Sequence, residues 1–218
     1  SFFFQPFYIP SSSMEPSLFI GDRLFVSKYT YGYSRHSLPF SPKIYNYRIL
    51  GKVPKRGDVI VFKTPADNRT DYIKRLIGLP GDTIQIVDKN LYLNNVKIEK
   101  KGKGNLTNIN CGEEVVNTIF FEETLPNKKK YIAVYRDSGT MSNTGKFVVP
   151  ENHYFFMGDN RDCSKDSRYL SSVGYVSFNN LVGKAQLIFF SNDIKKGSFF
   201  KFWKWHKSLR LERFFKKI

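Results

Sequence analysis

The chain has 218 residues, enough for one large domain or two small ones with a substantial buried core. Its 35 Lys and Arg outnumber 19 Asp and Glu for a net charge of +16, which attracts polyanions: nucleic acid or an anionic membrane surface. Aromatic residues make up 17%, with Trp203 and Trp205 near the C-terminus, which favours the membrane because amphipathic rings settle at its interface. Two cysteines, neither in a Cys-x-x-Cys pair, argue against a zinc site.

Taken in order, Phe2, Phe3, Phe4, Phe7 and Tyr8 make an aromatic entry to Pro10-Ser11-Ser12-Ser13-Met14-Glu15-Pro16-Ser17-Leu18. Prolines flanking three hydroxyls forbid a continuous helix and predict a rigid turn presenting serines. Gly21-Asp22 launches a short strand to Lys28. Residues 29–54, rich in tyrosine and lacking periodicity, read as an extended ribbon with His36 in solvent. Gly57-Asp58 launches Val59-Ile60-Val61-Phe62, a continuous apolar run that predicts a strand buried on both faces. In the strand expected from Asp71, alternation places Tyr72, Lys74 and Leu76 on one face and Arg75 on the other.

Thr83 to Val87 and Leu91 to Ile98, around Asp88-Lys89-Asn90, predict a hairpin. Lys100 to Asn110 reads as a flexible Gly- and Lys-rich loop. Further strands are expected over 115–122, 131–135 and 146–149. The segment 83–153 is thus a second β domain inserted between core parts at 1–82 and 154–194. Tyr154-Phe155-Phe156-Met157 brings a strand to a loop whose charges, Asp159, Arg161, Asp162, Lys165, Asp166 and Arg168, balance in sign and suit internal pairing. Cys163 lies in this loop, where a bond to Cys111 would constrain side chains the loop should be positioning. An oxidising compartment permits such a bond without requiring it. The tail, 195–218, carries nine Lys or Arg against Glu212 alone. Basic residues at every third position from Lys201 to Lys216 spiral round a helix, giving either a short surface helix that favours anionic headgroups or a basic solubilising tail.

A serine in a rigid turn needs a base to take its proton. None of His36, His153 and His206 lies beside other acid or base signals. No Gly-x-Ser-x-Gly elbow is present, and the position three after Ser13 is Pro16 rather than lysine. Lys74, with bulky and partly apolar neighbours, is the remaining candidate.

Four stretches in order, Ser13-Met14-x-Pro16-x-Leu18, Gly57-Asp58-Val59-Ile60-Val61-Phe62, Tyr72-Ile73-Lys74-Arg75 with Gly78-Leu79-Pro80-Gly81-Asp82, and Gly158 to Tyr169, resemble the four boxes of bacterial type I signal peptidase. The resemblance implies a mostly β fold: a catalytic core of the signal peptidase and LexA-like kind, an inserted second β domain and a short C-terminal helix. It implies Ser13 as nucleophile and Lys74 as base. Ser164 would orient the lysine, Ser11 and the Ser13 N–H would meet the oxyanion, and Asp166 and Arg168 would brace the site. Phe7, Ile9, Met14, Leu18, Val61, Tyr72 and Ile73 would line pockets for small residues. Cys163 stands where many members have asparagine.

The activity so implied is removal of signal peptides from secreted preproteins after Ala-X-Ala-type sites, on the outer face of the bacterial inner membrane. Membrane lipids are expected partners and nucleic acid is not; neither metal nor organic cofactor is expected. No apolar run approaches the roughly 20 residues needed to cross a bilayer, so a preceding anchor is expected outside this sequence. The alternatives are a self-cleaving repressor-type Ser/Lys protease, which would lack the last box, and a non-enzymatic basic module for lipid or nucleic acid, which leaves the boxes unexplained.

Overall fold

The computed structural model describes residues 3–37, 47–104, 107–112, 114–136, 139, 141–193 and 208–218. The chain is mostly β. In order the strands are β1 (Phe4–Tyr8), β2 (Asp22–Ser27), β3 (Val59–Lys63), β4 (Asp71–Gly78), β5 (Thr83–Val87), β6 (Asn90–Leu93), β7 (Val96–Lys97), β8 (Glu99–Gly102), β9 (Thr107–Cys111), β10 (Glu114–Thr124), β11 (Lys130–Arg136), β12 (Phe147–Val148), β13 (His153–Met157), β14 (Val176–Ser177) and β15 (Leu181–Ser191). Among the described residues no helix is long and apolar enough to cross a membrane.

Seven strands form the main sheet in the order β1-β2-β15-β3-β4-β13-β14. Its centre is β3, whose apolar run is buried on both faces as the sequence predicts. Val59 and Val61 join Ile9, Met14, Leu18, Leu24, Val26 and Ile188 on one face. Ile60 and Phe62 join Leu76, Phe156 and Leu181 on the other. Gly21, just before β2, sits at φ 93°, where a side chain would meet the Asn192 carbonyl at 1.9 Å, so only glycine fits.

Residues 83–148 leave this sheet to build two smaller ones, ordered β12-β5-β6-β7 and β11-β10-β8 with β9 on β10. Asp88 and Lys89, both with positive φ, close the expected β5–β6 hairpin. A second pair, Asn94 and Asn95, also at positive φ, splits the expected strand 91–98 into β6 and β7. The Lys100 to Asn110 stretch contributes β8 and β9, both hydrogen-bonded to β10, where a flexible loop was expected. The small sheets are not independent of the main one: Ile77, Phe155 and Met157 share a core with Ile84, Ile86, Leu93, Tyr131 and Val149.

Three other expectations need correction. Cys111 and Cys163 are joined by a disulfide, with Cα atoms 5.3 Å apart. His36 is buried rather than solvated; burial, reinforced by Arg35, Lys63 and Arg48, pushes its pKa down to about 4. Of the expected tail helix, residues 208–218 contain the short 3-10 turn Leu211–Arg213, and the segment folds back on the main sheet, bridging Asn192 to Leu209 and Leu187 to Lys217. The preceding tail, 194–207, and residues 38–46 of the ribbon lie outside the described residues.

Candidate active site

The turn at residues 11–18 is a self-contained unit. Glu15 N donates to the Ser12 carbonyl at 3.0 Å and Leu18 N to the Met14 carbonyl at 2.9 Å, while Met14 and Leu18 are fully buried beneath it. This leaves Ser13 at the turn's inner edge, 7% exposed. Lys74 on β4 pairs with Ile60 on β3, so its stem runs over an apolar sheet face. Its Nζ, on a residue 2% exposed, donates to Ser13 Oγ at 2.6 Å and lies 5.4 Å from the Tyr72 ring centroid. Burial pulls the Lys74 pKa down to about 8, against the opposing pull of Asp166 and Asp159. Ser11 Oγ lies 3.3 Å from Ser13 Oγ.

The loop after β13 closes over this pair. Gly158 N donates to Asp166 Oδ2 at 2.9 Å. A Cβ at Gly158 would meet Ser164 Oγ at 2.2 Å and the Ser13 carbonyl at 2.5 Å, so the absence of a side chain lets three backbone segments meet. Arg168 grips Asp166 with two bonds, Nε to Oδ1 and Nη2 to Oδ2, each 2.8 Å. Although burial opposes its ionisation, this guanidinium holds the Asp166 carboxyl below its ordinary range. Ser164 is buried beside Gly158, yet its hydroxyl makes no hydrogen bond to Lys74. The direct lysine-orienting contact expected of it is absent.

Of the residues expected to line pockets, Phe7, Ile9, Met14, Leu18, Val61 and Ile73 share one cluster. Tyr72 packs on the opposite sheet face with Ile60 and Phe62. Ile9, Met14, Leu18 and Val61 are at most 2% exposed and form a floor; Phe7, Tyr72 and Ile73 are half-buried.

Several site neighbours had no assigned role in the sequence reading. Asn160 donates through its backbone N and its Nδ2 to the Ser13 and Ser12 carbonyls, each at 3.2 Å. Arg75, on the face opposite Lys74, holds Asp159 through bonds of 2.7 and 2.6 Å. Arg161, 2% exposed, makes a two-bond pair with Glu123 on β10 at 2.9 and 2.6 Å and also donates to the hydroxyls of Tyr131 and Tyr135. The loop backbone is zipped along β11, with Val134 N donating to the Asp159 carbonyl at 2.8 Å and Arg161 N to the Val134 carbonyl at 2.9 Å. The balanced charges of the loop signalled pairing, but the partners on β4 and β10 are distant in sequence. Among the described residues no group of His, Cys, Asp and Glu could hold a metal ion.

A buried lysine amine bonded to a turn serine is an arrangement for base-assisted nucleophilic attack. A family model described as signal peptidase, peptidase S26, matches residues 1–190. The chain belongs to this family. It is therefore a serine peptidase, a hydrolase. Signal peptidase I of Rickettsia typhi is 42% identical over 98% of this chain and 85% of its own length. The Rickettsia prowazekii signal peptidase I matches with the same identity and coverage. Among solved structures, a signal peptidase I from Enterococcus faecalis V583 is 31% identical, covering 61% of this chain and 97% of that one with a TM-score of 0.37. Family membership sets aside the reading of the chain as a non-enzymatic basic module.

Proposed function

We propose that this peptidase removes N-terminal signal peptides from secretory preproteins, cutting after small residues by a Ser/Lys mechanism. The observation that carries the reading is the 2.6 Å contact between Lys74 Nζ and Ser13 Oγ inside a water-poor, partly apolar setting. Neutral Lys74 takes the Ser13 proton as Oγ attacks the scissile carbonyl, and the resulting ammonium then protonates the leaving amine. A water deprotonated by the same lysine releases the acyl group and restores Ser13. The Ser13 N–H and Ser11 hydroxyl meet the oxyanion, which is consistent with the position of Ser11 beside the nucleophile.

Ser164, buried beside Gly158 and without a hydrogen bond to the amine, orients the lysine through the packing of its loop, and Asp166 with Arg168 braces that loop. Phe7, Tyr72 and Ile73 contact substrate residues, while Ile9, Met14, Leu18 and Val61 set the depth of the pockets. The residues divide into a catalytic core at 1–82 and 154–194 with an insert at 83–153. The work is done at the outer face of the bacterial inner membrane, where the net positive charge favours anionic lipid and nucleic acid is no partner.

The test is cleavage of a purified preprotein by the parent and by Ser13→Ala. Processing by the parent alone supports the reading, and undiminished processing by Ser13→Ala would sink it.

A further inference from the structure

Asp22, at the start of β2, is fully buried, and its carboxylate collects four donors. Phe19 N donates at 2.8 Å, Ser191 Oγ at 2.6 Å, and Arg213 through Nε at 3.1 Å and Nη2 at 2.6 Å. The same Nη2 donates to the Ser17 carbonyl at 3.0 Å, and the guanidinium lies 4.1 Å from the Phe19 ring centroid. Three residues earlier, Arg210 donates to the carbonyls of Ile20 at 2.5 Å and Asn192 at 3.0 Å. Every grip falls on residues 17–22, the chain leaving the nucleophile turn, or on Asn192, the residue that follows β15.

These arginines belong to a stretch whose charge would otherwise suit a solvated tail, yet Arg213 is only 4% exposed. Burying a cation is costly unless it is paired and hydrogen-bonded, and here the pairing is complete on two sides. The planar fork spans both a carboxylate and a backbone carbonyl, a geometry that a lysine point charge lacks. The segment is itself anchored: Phe215 N donates to the Ile188 carbonyl at 2.7 Å, and Ile218 packs against the core that holds Met14 and Leu18.

We propose that Arg213 is a positioning residue for Ser13, fixing Ser17 and Asp22 so that the turn aims the Ser13 hydroxyl at Lys74. The inference rests on the Ser/Lys reading of the site. Because the bonds Ser12–Glu15 and Met14–Leu18 make residues 12–18 move together, a shift at Ser17 is passed to Ser13. Glu15, inside this unit, senses the same arginines: burial pushes its carboxyl up to about 7, while the Ile20 N–H, Arg210 and Arg213 pull it back.

The experiment uses the full chain and a preprotein-derived peptide, comparing the parent with Arg213→Met, Arg213→Lys, Arg213→Gly and Ile218→Ala. The last loosens the same segment without touching Asp22. Misplacement by about 1 Å lowers rate by up to ~10²-fold, so kcat per folded molecule should fall at least about ten-fold in Arg213→Met with KM within about two-fold. Arg213→Lys should be intermediate, and millimolar guanidinium should restore part of the kcat of Arg213→Gly while methylammonium does not. Should Arg213→Met fail to fold, Arg213→Lys and the guanidinium rescue decide the matter. Parent-like kcat in the folded Arg213 variants, or an equal loss in Ile218→Ala at matched stability, would overturn the inference and leave the Ser/Lys reading intact. A parent that does not cleave, or a Ser13→Ala variant that does, overturns both.

Discussion

Lys74 Nζ meets Ser13 Oγ at 2.6 Å where both residues are withdrawn from water, at 2% and 7% exposure. The arrangement suits the base proposed for this peptidase and makes the lysine a burden on the fold. With its pKa held near 8 in the folded chain against 10.5 in the reference, the burden is roughly 3 kcal/mol. The unfolded chain binds the extra proton between those values, so the penalty is full below about 8 and vanishes above 10.5. Lys74→Met should be inactive yet as stable as the parent or more so at pH 7, and the difference should shrink as pH rises through that window. Activity of the parent should rise with the deprotonation of this amine. Urea titrations at several pH values and a pH–rate profile check both, and a methionine variant clearly less stable at pH 7 would count against a neutralisable base.

Gly158 is where the Ser13 turn and the charged loop touch. A Cβ there would stand 2.2 Å from Ser164 Oγ and 2.5 Å from the Ser13 carbonyl, so something must move. Gly158→Ala should lower stability by about 1–3 kcal/mol, the usual range for overpacking, and should lower kcat more than stability alone explains. Single-turnover cleavage with the folded fraction measured in parallel separates the two effects.

Glu123 is 1% exposed and accepts from Arg161, Tyr131 and Tyr135. Glu123→Ala leaves the Arg161 cation buried without its counter-charge, a change that destabilises by about 3–5 kcal/mol. Denaturant unfolding should show that loss. Glu123→Ala combined with Arg161→Met should recover much of it, because no stranded charge remains.

The Cys111–Cys163 bond closes a loop across 52 positions. In the chain-entropy account a loop of that size stabilises by about 4 kcal/mol, with measured values typically 2–4. Replacing both cysteines by serine should therefore reduce stability by about 2–4 kcal/mol. It should disturb kcat less than Gly158→Ala, because Glu123 and Val134 still hold the loop. Thermal melts with and without reductant, alongside kcat, test this.

What could be read from the chain was chiefly what is local. The Pro-bounded turn, the twice-buried run 59–62 and the alternation that sends Tyr72 and Lys74 one way and Arg75 the other each depend on a few adjacent residues. The resemblance of four boxes then named Ser13 and Lys74 together. What stayed hidden depends on pairing across the fold. Lys100 to Asn110 has a loop's composition, but β8 and β9 along it hydrogen-bond to β10. His36 is polar and surrounded by tyrosines, and only tertiary packing buries it. Arg213 reads as one more basic residue in a basic tail until Asp22, 191 positions earlier, is placed beside it. The disulfide was the least legible feature, because a loop that must position side chains gave a reason against a bond that in fact ties that loop to β9.

The zipping of residues 159–161 along β11 has a consequence for timing. Ser13 meets the Lys74 amine 61 positions away, and the Ser12 carbonyl leans on a residue 148 positions away that is itself held on β11. Contacts so distant in sequence form slowly, after loop-closure entropy has been overcome. A half-folded chain therefore carries an ordinary serine hydroxyl and a solvated, protonated lysine, neither able to cut a peptide. On the proposed mechanism, proteolytic competence would therefore switch on only with that long-range closure, and folding intermediates would be harmless to themselves and to the unfolded chains around them.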